Sequence, residues 1–199
     1  MLDLKTRLTT REEYLAMERA SEYRHEYSQG EVTEMTGASR EHNLLVSSIS
    51  ARLYMQLLGQ PCEIYTSDMR VKVTEAGLYT YPDLVVVCDE PDLEDAHVDT
   101  LLNPNVIIEV LSNSTEEYDR GKKFAHYRKL PSLTDYLLVA QDRMHVEQFA
   151  RQPNDTWLFS EADHADVTIT IASIGCELQL EEIYEKVNLP EADLDETKR

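Results

Sequence analysis

Two short apolar runs, each carrying one acid, most constrain how this chain can fold. PDLVVVC spans residues 82–88 and NVIIEVL spans residues 105–111. Runs of this length are typical of strands buried on both faces, so both are predicted near the centre of a covered sheet. Asp83 lies at the start of the first run and Glu109 lies inside the second. A charged carboxylate in such surroundings is costly unless it is paired or bound to a cation.

The elements around these runs predict an α/β or α+β protein in which helices flank one mixed sheet. A β-hairpin with Gly30 in its turn is predicted within residues 22–36. Helices are predicted over 9–20, 39–58, 115–130 and 180–185, and further strands over 62–66, 69–74, 134–140, 144–150 and 156–160. We expect a single domain over residues 1–188, followed by an acidic mobile tail over 189–199.

The charge of the chain is unevenly distributed. A formal net charge of −19 weighs against tight binding to nucleic acid, which is itself densely negative. Residues 119–129 nevertheless hold five Lys or Arg and one acid. Any contact with nucleic acid is therefore expected on that segment, and is expected to weaken with salt.

Other features narrow the class of protein. No apolar run approaches the roughly 18 residues of a membrane span, so no membrane partner is expected. The N-terminal residues lack the apolar core of a signal peptide. Three cysteines outside any CxxC spacing favour reduced, mostly buried thiols in a cytoplasmic protein. No phosphate-binding glycine motif is present, so no nucleotide cofactor is expected.

The two strand acids predict a metal site if their strands are neighbours. Pro82 is tolerated only at the beginning of a strand or on an edge, which places Asp83 near a strand end. Asp83 and Glu109 would then converge at one rim of the sheet. Mg²⁺ or Mn²⁺ between them would relieve their repulsion and leave positions for water and a phosphate oxygen. If only one of these acids were present on an apolar strand, the simpler explanation would be that it lies on an exposed face or makes a satisfied hydrogen bond.

An extended string makes the chain similar to a known family. YPDLVVV, followed by NPNVIIEVLSNSTEEYDRGKKFAHYRKLPSLTDYLLV, resembles the Uma-type restriction endonuclease family of the PD-(D/E)XK nuclease superfamily. The resemblance implies a four-stranded mixed core sheet flanked by helices, and metal-dependent hydrolysis of phosphodiesters. It matches Asp83 and Glu109 to the two motif acids. Leu111 stands where the superfamily motif has lysine, and the resemblance assigns that lysine to Lys123 on the following helix.

Helical spacing also favours Lys123 over Lys122. Asp119, Lys123 and Tyr127 are four residues apart and share one face of a helix, whereas Lys122 points about 100° away. The alternative for Asp119 and Lys123 is a solvent-exposed ion pair, worth only a few tenths of a kcal/mol. A catalytic role is therefore predicted for Lys123, and the simple ion pair for Asp119.

Two further residues match positions of the family pattern. Glu31 could be an additional metal ligand, and His42 could contact a phosphate or hold a water, or merely cap and pack the helix start. The predicted function is a metal-dependent nuclease acting on DNA, with a homodimer expected because cutting both strands needs two sites. The alternative is a non-catalytic protein-binding module that retains the fold.

Overall fold

The structure is a computed structural model that describes residues 8–73, 77–112 and 115–190. A six-stranded mixed sheet forms its centre. The members of this sheet are β3 (Cys62–Thr66), β6 (Leu84–Cys88), β8 (Val106–Leu111), β9 (Asp135–Ala140), β10 (Val146–Arg151) and β11 (Trp157–Ala162). Their order across the sheet is β11-β10-β9-β8-β6-β3. All neighbours are antiparallel except β8 and β9, which are parallel. The predicted α+β architecture, with helices flanking a mixed sheet, is confirmed, although this sheet has six strands rather than the implied four.

Two smaller sheets complete the strands. The five-stranded sheet has the order β2-β1-β5-β4-β7, and β12 pairs with β13. Their members are β1 (His25–Ser28), β2 (Glu31–Glu34), β4 (Arg70–Val73), β5 (Leu78–Thr80), β7 (Thr100–Leu101), β12 (Thr168–Ile171) and β13 (Cys176–Gln179). The sequence did not predict β5, β7, β12 or β13. Strands β5 and β7 have only three and two residues, too few for a readable period.

The two longest helices in the described ranges begin at side-chain caps. Helix α1 (Arg11–Ala20) has Thr10 as its N-cap, in a capping box with Glu13. Helix α2 (Arg40–Leu57) begins after Ser39, whose hydroxyl accepts from the His42 backbone N–H. Helix α4 is Leu180–Tyr184. No helix in the described ranges is long and apolar enough to cross a membrane.

The third helix contains an irregularity that the sequence did not predict. Helix α3 begins as Glu116–Tyr118, widens into a π-helical turn over Asp119–Lys123 and ends as Phe124–Tyr127. A π turn holds one more residue than an α turn and is often found at functional sites. Asp119, Lys123 and Tyr127 are buried on the inner side of this helix, while Lys122 is exposed, as the spacing predicted.

Two apolar cores cover the faces of the central sheet. One lies between α2, α4, β12, β13 and the sheet, with Leu45, Ile49 and Leu53 of α2 fully buried. The other lies between the opposite sheet face, α3 and the five-stranded sheet, and includes Tyr127 and Tyr136. Covering both faces explains why β6 and β8 are continuous apolar runs. The tail predicted for 189–199 lies, from residue 191 on, outside the described residues.

The prediction of three reduced thiols is wrong. Cys62 and Cys88 are opposite one another on the antiparallel pair β3 and β6, and they form a disulfide. Only Cys176 is a free thiol, and it is fully buried in the core. No local pattern indicates the bond, because the 26-residue separation says nothing about strand register.

Reduction of this disulfide is expected to destabilise the protein. The bond closes a 26-residue loop, so chain entropy predicts that it contributes about 3 kcal/mol to the free energy of unfolding. Urea unfolding of wild type and of Cys62→Ser/Cys88→Ser, each with and without reductant, measures this contribution. The double variant should be insensitive to reductant, and equal stability of all four samples would contradict the expectation.

Candidate active site

The two strand acids meet at one rim of the central sheet. Strands β6 and β8 are antiparallel neighbours in which Leu84 pairs with Ile108. Asp83 and Glu109, one residue further along each strand, are therefore adjacent, as the sequence predicted. The Val110 backbone N–H donates to Asp83 Oδ2 at 2.8 Å, and His42 Nε2 lies 3.1 Å from the same oxygen. Helix α2 thus brings His42 to the site from the other face of the sheet.

Glu109 is held from the helix side. Its Oε1 accepts a hydrogen bond from the Tyr127 hydroxyl at 3.0 Å and lies 2.9 Å from Lys123 Nζ. The Glu109 side chain is only 5% exposed. The π-helical turn and the α turn after it therefore direct two donors of one helix at a single carboxylate oxygen.

Lys123 is surrounded by acids. Besides Glu109, its Nζ lies 3.4 Å from Asp119 Oδ1 and 3.5 Å from Glu26 Oε1. Lys123 and Asp119 are 6% and 3% exposed, so the alternative of a solvent-exposed ion pair is wrong for them. One buried ammonium group serves three carboxylates, with Asp83 close by.

Glu26 is a site residue that the sequence did not predict. It lies on β1, accepts a hydrogen bond from the Thr80 hydroxyl of β5, and reaches Lys123. Glu31, predicted from the same hairpin, is exposed on β2, and no contact among the described residues joins it to the site. Which acid of the hairpin faces the site depends on how the five-stranded sheet packs against the rest of the protein. The local sequence of the hairpin does not indicate that packing.

Burial dominates the electrostatics of the cluster. Loss of water raises the pKa of Glu109 from its ordinary 4.5 to about 8; Lys123 opposes the shift, and the negative charges of Asp119 and Asp83 add to it. Burial likewise raises the pKa of Asp119. For Lys123, burial alone would lower the pKa, but Glu109, Tyr127, Glu26 and Asp119 outweigh it and raise the pKa well above its ordinary value. Lys123 is therefore a firmly charged ammonium in a site with excess negative charge.

The oxygen atoms at the rim are compatible with a divalent cation. Protein contacts fall on Oδ2 of Asp83 and Oε1 of Glu109, so each carboxylate keeps one oxygen without a donor from the described residues. No group of three His, Cys, Asp or Glu side chains in the described ranges could hold a metal ion. Mg²⁺ commonly uses one or two carboxylates and keeps several waters, so two free carboxylate oxygens fit such an ion.

Comparison with known proteins identifies the family of the chain. The Uma2 family, described as "Putative restriction endonuclease", matches residues 11–181 of the chain. The chain belongs to the Uma2 family. Two uncharacterized proteins of Synechocystis sp. (strain ATCC 27184 / PCC 6803 / Kazusa) are similar to this Uma2 protein. Protein sll1609 is 34% identical, covering 87% of this chain and 99% of its own length, and slr1290 is 35% identical, covering 87% and 90%.

A solved structure supports the fold of this Uma2 protein. The crystal structure of a "putative nuclease belonging to DUF820" from Anabaena variabilis ATCC 29413 superposes with a TM-score of 0.68. It is 16% identical and covers 83% of this chain and 92% of its own, so the likeness concerns the fold. Family and fold together make the Uma2 protein nuclease-like, which implies nucleic acid as its class of substrate.

Proposed function

We propose that this Uma2 protein is a Mg²⁺- or Mn²⁺-dependent endonuclease that hydrolyses phosphodiester bonds in DNA. The observation that carries the proposal is the convergence of Asp83 and Glu109 beside the buried Lys123, each carboxylate keeping one oxygen without a donor from the described residues. Asp83 and Glu109 would hold the ion, which supplies Lewis-acid stabilisation of a phosphodiester and a more acidic water.

The other side chains have distinct tasks in this proposal. Lys123 stabilises negative charge that develops on the phosphate or orients the attacking water. Asp119 and Glu26 keep Lys123 charged and in place. Tyr127 fixes the rotamer of Glu109 through its hydroxyl. These residues are thus arranged before substrate arrives, so little reorganisation opposes the reaction.

The basic segment, residues 119–129, presents fewer unpaired positive side chains to DNA than its composition implied. Lys123 is buried in the site, and Arg120 is engaged by Glu116 and Glu147. Lys122, Arg128 and Lys129 remain exposed. We propose that these three contact the DNA backbone, so that binding weakens with salt.

A homodimer, with one site for each strand, and a cytoplasmic location complete the proposal. In a reducing cytoplasm the Cys62–Cys88 bond would be exposed to reduction.

The alternative, a non-catalytic protein-binding module, is supported by the net charge of −19. The buried cluster argues against it. Glu109, Asp119 and Lys123 are nearly inaccessible, and replacing such a group by apolar residues of similar volume is often neutral or stabilising. A module that needs only the fold would gain nothing from this charged cluster, whereas a metal nuclease requires it.

The proposal is tested by Mn²⁺ calorimetry and plasmid nicking on the same samples. Wild type is expected to bind Mn²⁺ and to nick plasmid until EDTA is added. Asp83→Asn, which keeps the size of the side chain, is expected to abolish calorimetric binding and to lower nicking by roughly 10²–10⁴-fold, because it removes a ligand charge.

Asp155→Asn is the matched control, since Asp155 is 79% exposed and its side chain pairs only with Arg151 in the described chain. It should behave as wild type. Wild type that binds no Mn²⁺ and leaves plasmid intact would overturn the metal-nuclease proposal and favour the binding module.

A further inference from the structure

His42 is the one site residue that comes from the opposite face of the central sheet, among those the structure describes. It occupies the first turn of α2, where its backbone N–H is capped by the Ser39 hydroxyl at 3.0 Å. The same hydroxyl donates to Gln141 Oε1 at 2.6 Å, which ties the start of α2 to the turn between β9 and β10. These contacts at the start of α2 fix the backbone position of His42 independently of the contacts that its own ring makes.

The ring of His42 has a single polar contact within the described chain. Its Nε2 lies 3.1 Å from Asp83 Oδ2, while Nδ1 is buried and has no hydrogen-bond partner among the described residues. Asp83 Oδ2 is a carboxylate oxygen, which accepts and does not donate. The proton of this hydrogen bond therefore belongs to His42 Nε2.

Both contacts to Asp83 fall on the same oxygen. The Val110 backbone N–H and His42 Nε2 approach Oδ2 from two elements, and the described residues give Oδ1 no donor. Two donors from different directions fix the plane of a carboxylate as well as its rotamer. Oδ1 is then the oxygen of Asp83 that, among the described residues, no donor occupies.

We propose that His42 is a positioning residue that orients Asp83 so that Oδ1 is presented to the divalent ion. This inference rests on the proposed function and deepens it. It differs from a direct contact between His42 and a substrate phosphate, because Nε2 is already engaged and Nδ1 is buried. Groups that hold a metal ligand in this way commonly contribute roughly 10–100-fold to metal affinity.

Three variants test the proposal. His42→Leu removes the donor and keeps apolar bulk. His42→Gln can place an amide N–H near the position of Nε2. His164→Leu changes a histidine that is 76% exposed and pairs with Asp163, so it is the matched control. Each is measured by Mn²⁺ calorimetry without DNA, and by binding of a duplex oligonucleotide without metal. Circular dichroism and urea unfolding establish that each variant is folded.

The expected result is a roughly 10–100-fold weaker Mn²⁺ affinity in His42→Leu, substantial recovery in His42→Gln, and metal-free DNA binding unchanged in both. Unchanged Mn²⁺ affinity in a folded His42→Leu overturns the positioning role. Loss of DNA binding with unchanged Mn²⁺ affinity overturns it in favour of a phosphate contact. Wild type that binds no Mn²⁺ instead overturns the proposed function together with this inference. Nitrogen NMR of wild type should place the ring proton on Nε2, and a proton found only on Nδ1 would overturn the hydrogen bond itself.

Discussion

Replacing Lys123 by methionine is expected to lower the free energy of unfolding by about 3–5 kcal/mol near pH 8 without divalent metal. The substitution keeps most of the apolar stem but removes the ammonium group that Glu109, Asp119 and Glu26 share. Three buried or half-buried carboxylates then face one another with no cation between them. Urea unfolding in the presence of EDTA measures the loss.

Lys122→Met is the control for this variant. Lys122 is the neighbouring residue, has the same side chain and is exposed, so its replacement is expected to change stability by less than about 0.5 kcal/mol. Part of the loss in Lys123→Met should be recovered by Mn²⁺, or at lower pH, where the acids take up protons. Equal stability of the two variants would contradict an ion cluster that depends on Lys123.

Plasmid nicking by Lys123→Met should fall by roughly 10²–10³-fold if Lys123 stabilises the transition state.

Replacing Glu109 by glutamine is expected to raise the free energy of unfolding, whereas replacing Lys123 by methionine lowers it. Near pH 8 without metal, Glu109→Gln should be more stable than wild type by about 1–3 kcal/mol, although nicking is lost. The glutamine amide keeps an oxygen for the Tyr127 hydroxyl and for Lys123, but the substitution removes a buried charge from a cluster that already has excess acid.

The pH dependence of this difference follows from the raised pKa. Because the pKa of Glu109 is higher in the folded than in the unfolded protein, its contribution to stability is fully present below about 4.5 and is lost as pH rises through about 8. Wild type should therefore lose stability relative to Glu109→Gln across that window. Unfolding curves at pH 5 and pH 8 with EDTA measure the difference. A variant less stable than wild type at pH 8 would contradict it.

Together, the two variants separate a structural ion pair from a functional site. If the Lys123–Glu109 pair existed for stability, neutralising either partner would destabilise the protein. In a site that binds a divalent cation, the ammonium group of Lys123 is needed to hold the carboxylates together when the ion is absent. Each buried carboxylate, in contrast, lowers the free energy of unfolding. Opposite signs for the two substitutions are the signature of the second case.

The sequence predicted the part of the site that depends on strands. Asp83 lies at the start of one apolar run and Glu109 lies inside the next, so the two were expected to converge if their strands were neighbours, as β6 and β8 are. Lys123 was predicted because helical spacing and the family string agree on it. For His42 the sequence left open a pocket contact or a capping and packing role, and the structure places its Nε2 beside Asp83.

The sequence could not predict the features that depend on which strands pair and in which register. In the hairpin, Glu26 and Glu31 both read as the polar half of an alternating pattern, and only the pairing of β1 with β5 brings Glu26 to Lys123. Strands as short as β7 carry no period, and the Cys62–Cys88 bond requires knowledge of the register between β3 and β6. These features are properties of tertiary docking, so local sequence cannot contain them.

The widened turn of α3 also lets the helix hold one additional residue without changing its inner face. A π turn holds one residue more than an α turn, so Asp119 and Tyr127 both stay on the buried side of the helix. Within the turn, Lys122 is exposed and Gly121 has no neighbouring atom within 4 Å of a hypothetical Cβ. Substitutions at these two positions therefore have little steric consequence for the carboxylates around Lys123. The solvent side of the helix can change in sequence while the buried side keeps its geometry.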